Sequence, residues 1–415
     1  MKKIREGYKM TELGEIPEKW YISKLSELAQ IKRGASPRPI NNPKWFSEKK
    51  NVGWIRISDV TKTKKYLNST EQYLSDEGVA KSRLVKPNDL IMSICATVGK
   101  PIILNIDACI HDGFILFDDL NNNKIITDYL YYLLQKKEEE FKGMGQTGTQ
   151  ANLNTNIVGS TLIAIPTIEE QKKIASILST VDEQIDNVDG LIEKNKELKK
   201  GLMQQLLTKG IGHTKFKKTE IGEIPEEWEV KQLGDIAQYI NGKAFKPSEW
   251  DTQGLPIVRI QNLNGVSEYN YYNGQLDEKF IINDGQLLFS WSGSKGTSFG
   301  PYIWNNGKAV LNQHIFKVDL KEDVNRIYGY YALKQVTQII EESAHGSAGL
   351  VHVTKGALEK FKIGVPEIEE QKKIASILSK VDEKIEIYEN KKEKLEELKK
   401  GLMQQLLTGK IRVIK

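Results

Sequence analysis

IEEQKKIASILS (Ile168–Ser179) occurs a second time, letter for letter, at Ile368–Ser379. KKGLMQQLLT (Lys199–Thr208) likewise returns unchanged at Lys399–Thr408, so the distance between the copied segments is kept along with their letters. Upstream lies TELGEIPEKWYISKLSELA (Thr11–Ala29), matched by TEIGEIPEEWEVKQLGDIA (Thr219–Ala237). Between these blocks the halves agree only faintly. IRI (Ile55–Ile57) stands against VRI (Val258–Ile260), PNDLIMS (Pro87–Ser93) against DGQLLFS (Asp284–Ser290), and LYYLL (Leu130–Leu134) against GYYAL (Gly329–Leu333). A period of roughly 200 residues is too long for a solenoid repeat and reads as duplication of a whole domain. The frame is common; the contents have diverged.

From Ile168 to Thr208 there is no proline, and the glycines are Gly190 and Gly201. Ile174, Ile177, Val181, Val188, Leu191, Leu198 and Leu202 alternate by three and four, with Ile185, Ile192 and Leu206 widening the stripe. That is the signature of an amphipathic, coiled-coil-forming helix. Thr167 and Glu170 have the capping-box spacing that would satisfy two orphan backbone donors, and Gly210 lies just past the expected end. Such a helix is about 60 Å long at ~1.5 Å per residue. The second copy keeps Ile374, Ile377, Val381, Leu398 and Leu402 but has Tyr388 for Val188, Lys391 for Leu191 and Glu367 for the capping Thr167. Two striped helices, each following a compact domain, bury their stripes most simply as an antiparallel pair.

The expected fold class is therefore α/β (α+β): two α/β domains separated by two long antiparallel coiled-coil helices, with an internal pseudo-twofold duplication. The domains are 1–166 and 209–366; the helices are 167–208 and 367–415, the latter including a C-terminal tail. Strands are expected at Leu90–Ile94, Ile102–Leu104, Phe114–Phe117, Leu162–Ile165, Gln286–Trp291 and His314–Val318. Helices are expected at Asp128–Phe141 and Asn325–Ser343, and Trp20 and Trp228 are expected to anchor the start of each domain core.

Composition excludes more than it proves. The formal net charge is +5, carried by residues 1–166, whereas 209–366 balance at 18 basic and 18 acidic residues. Charge permits nucleic-acid binding without arguing for it. No stretch approaches the ~20 apolar residues of a membrane span, and no apolar core follows the basic start as in a secretory signal. Cys95 and Cys109 have no CxxC partner and read as buried thiols of a reducing cytoplasm. Thr97-Val98-Gly99-Lys100-Pro101 lacks the Ser/Thr of a phosphate loop, and the five histidines have no metal-ligand spacing. No catalytic residue and no metal site is expected.

The paired GEIPxxW segments (Gly14–Trp20, Gly222–Trp228), the paired EEQKKIAxIL segments (Glu169–Leu178, Glu369–Leu378) and the closing GLMQQLLTGK (Gly401–Lys410) strongly resemble the specificity subunits of type I restriction–modification systems, along nearly the whole chain. The resemblance implies that each variable domain reads one half of a split, asymmetric site on double-stranded DNA. It implies that the helices set the gap between halves and carry two modification (methyltransferase) subunits, with restriction subunits joining through the complex. S-adenosylmethionine, ATP and Mg would then belong to those partners, with no cofactor in this chain.

Base reading needs bidentate side chains, Arg or Lys for guanine and Asn or Gln for adenine; phosphates take Lys, Arg, hydroxyls and amides. The candidates in the first domain are Arg33, Arg38, Lys44, Arg56, Lys62, Lys64, Lys100, Thr149, Gln150 and Asn152. In the second they are Lys243, Arg259, Gln261, Asn262, Ser294, Lys295, Asn312 and His352. Arg56 and Arg259 occupy matching frame positions. The identical helical segments, with polar positions that helix pairing alone would not fix, suggest two copies of one partner. The candidate partner-binding residues are Gln171, Ile174, Ile177, Leu178, Met203 and Leu206, and their mates Gln371, Ile374, Ile377, Leu378, Met403 and Leu406. The competing expectation is a structural spacer that joins two protein-binding domains.

Overall fold

The computed structural model describes residues 4–144, 153–343 and 349–413. The two copied segments lie in unbroken helices, Ile168–Lys209 and Ile368–Leu406. The chain divides into two compact units, one running up to Val188 and resuming at Lys391, the other spanning Asp189–Asn390. Each unit holds one globule, the first half of one long helix and the second half of the other.

In the first unit, Gln30–Arg33, Phe114–Asp118, Leu90–Ser93, Pro101–Leu104 and Tyr66–Leu67 form a five-stranded sheet in that order. A second sheet orders Gln72–Leu74, Val52–Ile55, Ala108–Ile110 and Arg83–Val85, with its two middle strands parallel. The second unit repeats the plan. Ala237–Asn241, Ile315–Leu320, Gln286–Ser290 and Gly300–Trp304 form one sheet; Tyr271–Tyr272, Leu255–Val258, Ala309–Leu311 and Ile281–Ile282 form the other. The strand expectations hold to within a residue or two. The single helix expected over Asp128–Phe141 is instead two, Thr127–Lys136 and Glu138–Met144. The break at Lys137 lets Phe141 turn into the core, where it is fully buried, its Cβ against Gly99.

Most of the stripe on each long helix is divided between two neighbours, while Leu191, Leu198 and Leu398 stay exposed. In the first unit Ile174, Ala175 and Leu178 pack into the globule's core with Trp20, Tyr129, Met403, Leu406 and Leu407. Farther along, Asp182 accepts from the Tyr132 hydroxyl at 2.7 Å and pairs with Lys399 at 2.7 Å. As one helix ascends from Ile174 to Asp182, its neighbour descends from Leu406 to Lys399, so the two run antiparallel. The second unit matches it: Ile374, Ala375 and Leu378 pack with Trp228, Tyr328, Leu206 and Leu207. There the Tyr331 hydroxyl donates to Asp382 at 2.7 Å, and Lys199 pairs with the same carboxylate.

The polar letters of IEEQKK have an intramolecular explanation. Gln171 is fully buried; its amide donates to the carbonyls of Lys124 (2.8 Å) and Pro166 (3.0 Å) and accepts from the Ile126 N–H (2.9 Å). Gln371 repeats this with Asp323, Pro366 and Asn325. Glu170 forms only half the expected capping box. Its N–H reaches Thr167 Oγ1 at 3.3 Å, but its carboxylate turns inward to the Trp20 indole (2.9 Å) and the Arg412 guanidinium (2.5 and 2.9 Å). Glu370 takes the Trp228 indole (3.0 Å) and His213 (2.9 Å) in the same way. A buried polar group must find partners, and each helix start finds them in its own globule.

Candidate nucleic-acid interface

The two sheets of each globule end together along one rim. In the first unit the strand ending at Ile55 runs parallel to that ending at Ile110, so Arg56 and His111 leave them side by side. Phe114 pairs with Ser93 and Ile115 with Arg33, which brings the ends of two more strands to the same edge. Gly34 makes the junction. A Cβ there would lie 2.0 Å from the His111 carbonyl oxygen, a backbone atom that cannot yield. Gly242 stands in the same place in the second unit, with a Cβ 2.0 Å from the Asn312 carbonyl oxygen. These two glycines are required by close approach of backbone to backbone.

On the first rim Arg33 and Arg38 flank Asp112: Arg33 Nε donates to its carbonyl at 2.8 Å, and Arg38 lies 3.4 Å from its carboxylate. The Ser36 hydroxyl, which donates to Asp112 at 2.5 Å, holds that carboxyl below the usual range, with Arg38 adding to the effect. Burial, against the pull of Asp112, lowers the His111 pKa, and Arg56 adds to the fall. In the neutral imidazole Nδ1 accepts from the Gly113 N–H at 2.9 Å, which leaves Nε2–H to donate beside the exposed Arg56. Arg56 in turn holds Gln72 at 2.8 Å. Arg83, absent from the sequence candidates, donates to the Arg33 carbonyl at 3.2 Å. No motif marks Arg83 or His111; strand pairing alone brings them to the rim.

On the second rim Arg259 stacks over Trp250 at 4.4 Å, and its Nη2 is buried without a hydrogen-bond partner. Asn312 follows the neighbouring parallel strand, as His111 does in the first unit. Lys243 pairs with Glu249 at 2.7 Å and faces the Tyr272 ring. Trp291 lies against His314, Phe316 and the exposed His352, with ring centroids 4.8, 5.7 and 5.0 Å away. Its indole donates to Asn241 at 3.0 Å. This is an aromatic and imidazole platform where the first unit has an arginine cluster.

Other sequence candidates are placed differently. Lys62 is paired with Glu71 and Lys64 with Asp186; Lys44 covers the Trp45 ring at 4.2 Å. Lys100 donates to the Thr61 carbonyl at 3.2 Å, and burial lowers its pKa. Lys295 donates to the Glu341 carbonyl at 2.8 Å, while Gln261 and Ser294 are exposed. Asn262 is buried; its amide accepts from the Arg259 N–H and donates to the carbonyls of Val266 and Glu268. It therefore positions Arg259 and has no free edge to present. Thr149, Gln150 and Asn152 lie outside the described residues.

The expected partner surface also changes. Gln171, Ile174, Leu178, Gln371, Ile374 and Leu378 are fully or nearly fully buried in their own units, as are Leu206, Leu406 and Met403. Their surface is spent on packing against the globules. Met203 and Ile177 are half-buried, and Ile377 is exposed. Among the described residues no group of His, Cys, Asp and Glu is placed to hold a metal, and no helix is long and apolar enough to cross a membrane.

Comparison with known proteins adds a family to this geometry. The family model described as "Type I restriction modification DNA specificity domain" matches residues 17–197 and again 225–397. A putative type I restriction enzyme specificity subunit, MjaX of Methanocaldococcus jannaschii, is 33% identical, the match covering 98% of this chain and 97% of that protein. Among solved structures, a chain of a type I R-M system superposes with a TM-score of 0.60 at 17% identity, covering 95% of this chain and 99% of that one. A type I restriction–modification S subunit from M. genitalium gives 0.58 at 15%, covering 96% and 97%. Those two show a shared fold. With the family model matched once in each half, this chain belongs to the type I restriction modification DNA specificity family.

Proposed function

We propose that the chain is the sequence-reading, non-catalytic subunit of a cytoplasmic type I restriction–modification assembly, and that each rim reads one half of a bipartite site on double-stranded DNA. The observation that carries this reading is the pair of rims themselves. Gly34 and Gly242, and Arg56 and Arg259, keep equivalent places, while the side chains around them differ in kind. A constant frame with divergent contents is what two unlike half-sites require, and it makes the whole target asymmetric. Guanidinium groups at a strand end suit guanine, Asn312 suits the donor–acceptor edge of adenine, and the Nε2–H of a neutral His111 suits a base acceptor.

The long helices supply the remaining function. Leu398 in the first unit and Leu198 in the second occupy equivalent positions and are 50% and 51% exposed. An apolar side chain left open twice at one position suits two copies of a methyltransferase subunit, through which restriction subunits would join. S-adenosylmethionine, ATP and Mg would then act on those partners. The spacer reading is disfavoured by membership of a DNA specificity family.

The test is methylome sequencing of the host with and without this gene. Loss of one bipartite adenine-methylation motif is expected; an unchanged methylome would overturn the reading.

A further inference from the structure

A cavity of about 380 Å³ opens in the first unit, between the hairpin Tyr8–Pro17, the helix Thr127–Lys136, the strand Leu162–Ile165 and the chain beyond Leu406. That volume falls within the ~300–1,000 Å³ typical of ligand sites. Its floor is aliphatic: Leu133 and Leu407 are buried, Leu162 is half-buried and Leu13 is 41% exposed. Four cations surround it. Arg5 is tied to Glu15 at 3.0 Å and Lys137 to Glu140 at 2.7 Å, so both are neutralised. Lys136 and Lys410 make no ion pair among the described residues. Burial, with Lys137 and Lys410 nearby and against the pull of Glu140, lowers the Lys136 pKa. An apolar floor with two ammonium groups on its edge, neither in an ion pair among the described residues, is complementary to a carboxylate carried beside an aliphatic side chain.

The second unit does not repeat this chemistry. Tyr132 and Tyr331 hold equivalent aspartates, which fixes the register: Leu133 corresponds to Ala332, Lys136 to Gln335 and Lys137 to Val336. Leu162 corresponds to Lys362, which is paired with Glu220. Gly409 and Gly210 turn equivalently against the domain tryptophans at φ +68° and +65°, so Lys410 corresponds to Ile211. Leu207 and Ile221 keep the places of Leu407 and Leu13, but the other two floor side chains and both unpaired lysines are lost.

We propose that the pocket seats an acidic, aliphatic-anchored segment of the methyltransferase subunit, and that it does so once per chain. The partner's identity rests on the function proposed above; the asymmetry rests on the residues alone. One of two otherwise equivalent copies is thereby held more tightly than the other.

The test uses the full chain with purified methyltransferase subunits, titrated and read by native mass spectrometry. Lys136→Glu with Lys410→Glu should weaken one copy at least tenfold and leave the other unchanged. The milder Lys136→Gln should weaken the same copy less, with an unaltered melting temperature, which separates this effect from misfolding. Gln335→Glu with Ile211→Glu should change neither copy. A photo-crosslinking side chain at position 162 should label an Asp/Glu-containing segment of the methyltransferase. Unchanged binding of both copies, equal weakening of both, or crosslinking to DNA alone would overturn the pocket. A wild-type chain that bound no methyltransferase would instead overturn the functional reading from which the occupant follows.

Discussion

Arg412→Ala tests how the end of the chain fastens the first long helix to its globule. Glu170 is fully buried, and its carboxylate has three strong donors: the Trp20 indole and two guanidinium nitrogens of Arg412. The Glu170 hydrogen bond raises the Arg412 pKa further, so the guanidinium keeps its charge. Removing one partner of a buried pair costs ~3–5 kcal/mol, because the other charge is left uncompensated. The Arg412 side chain is 24% exposed, so water can enter the vacated space and the low end applies, about 3 kcal/mol. For a unit of this size each kcal/mol moves the melting midpoint by ~2–4 °C, so the first unit should melt about 6–12 °C lower. Differential scanning calorimetry measures this. In a Glu170→Gln background, where no charge is stranded, the same substitution should cost under ~1 kcal/mol, a coupling typical of groups in one network. A loss below ~0.5 kcal/mol for Arg412→Ala alone, or strict additivity with Glu170→Gln, would refute the reasoning.

Gly242→Ala forces a Cβ to within 2.0 Å of a carbonyl oxygen, so it should destabilise the second unit by ~1–3 kcal/mol in thermal melts and impair methylation through one half-site only. Arg56→Ala and Arg259→Ala should each weaken binding to specific DNA by ~1–3 kcal/mol. Fluorescence anisotropy with oligonucleotides altered in one half at a time should assign the two losses to different halves. Burial pushes the Cys109 thiol up to about 11 and also raises that of Cys95, which is only half-buried. At pH 8 a thiol reagent should therefore modify Cys95 slowly and leave Cys109 untouched until the chain unfolds, as peptide mass spectrometry would report.

The duplication, the two long helices and the division into two α/β globules were legible in the letters. Exact repeats and a three–four apolar alternation depend only on spacing along the chain. The family was legible for the same reason, since its signature lies in the constant frame. Trp20 and Trp228 could be read as anchors because a large apolar side chain at a fixed frame position has few other uses.

What tertiary structure decided is where the polar residues point. The stripe on IEEQKKIASILS looked like a surface for a partner, yet Gln171 and Glu170 are consumed by carbonyls of Lys124 and Pro166, by an indole and by an arginine some 240 residues later. Periodicity shows that a face is buried but not against what. The rim was equally hidden: Arg56 meets His111, and Arg259 meets Asn312, only because parallel strands distant in sequence end together. Asn262 had the composition of a base reader and is a buried brace for Arg259. Residue type limits which hydrogen bonds a side chain can make, while the neighbours brought by long-range strand pairing determine whether any remain for a ligand.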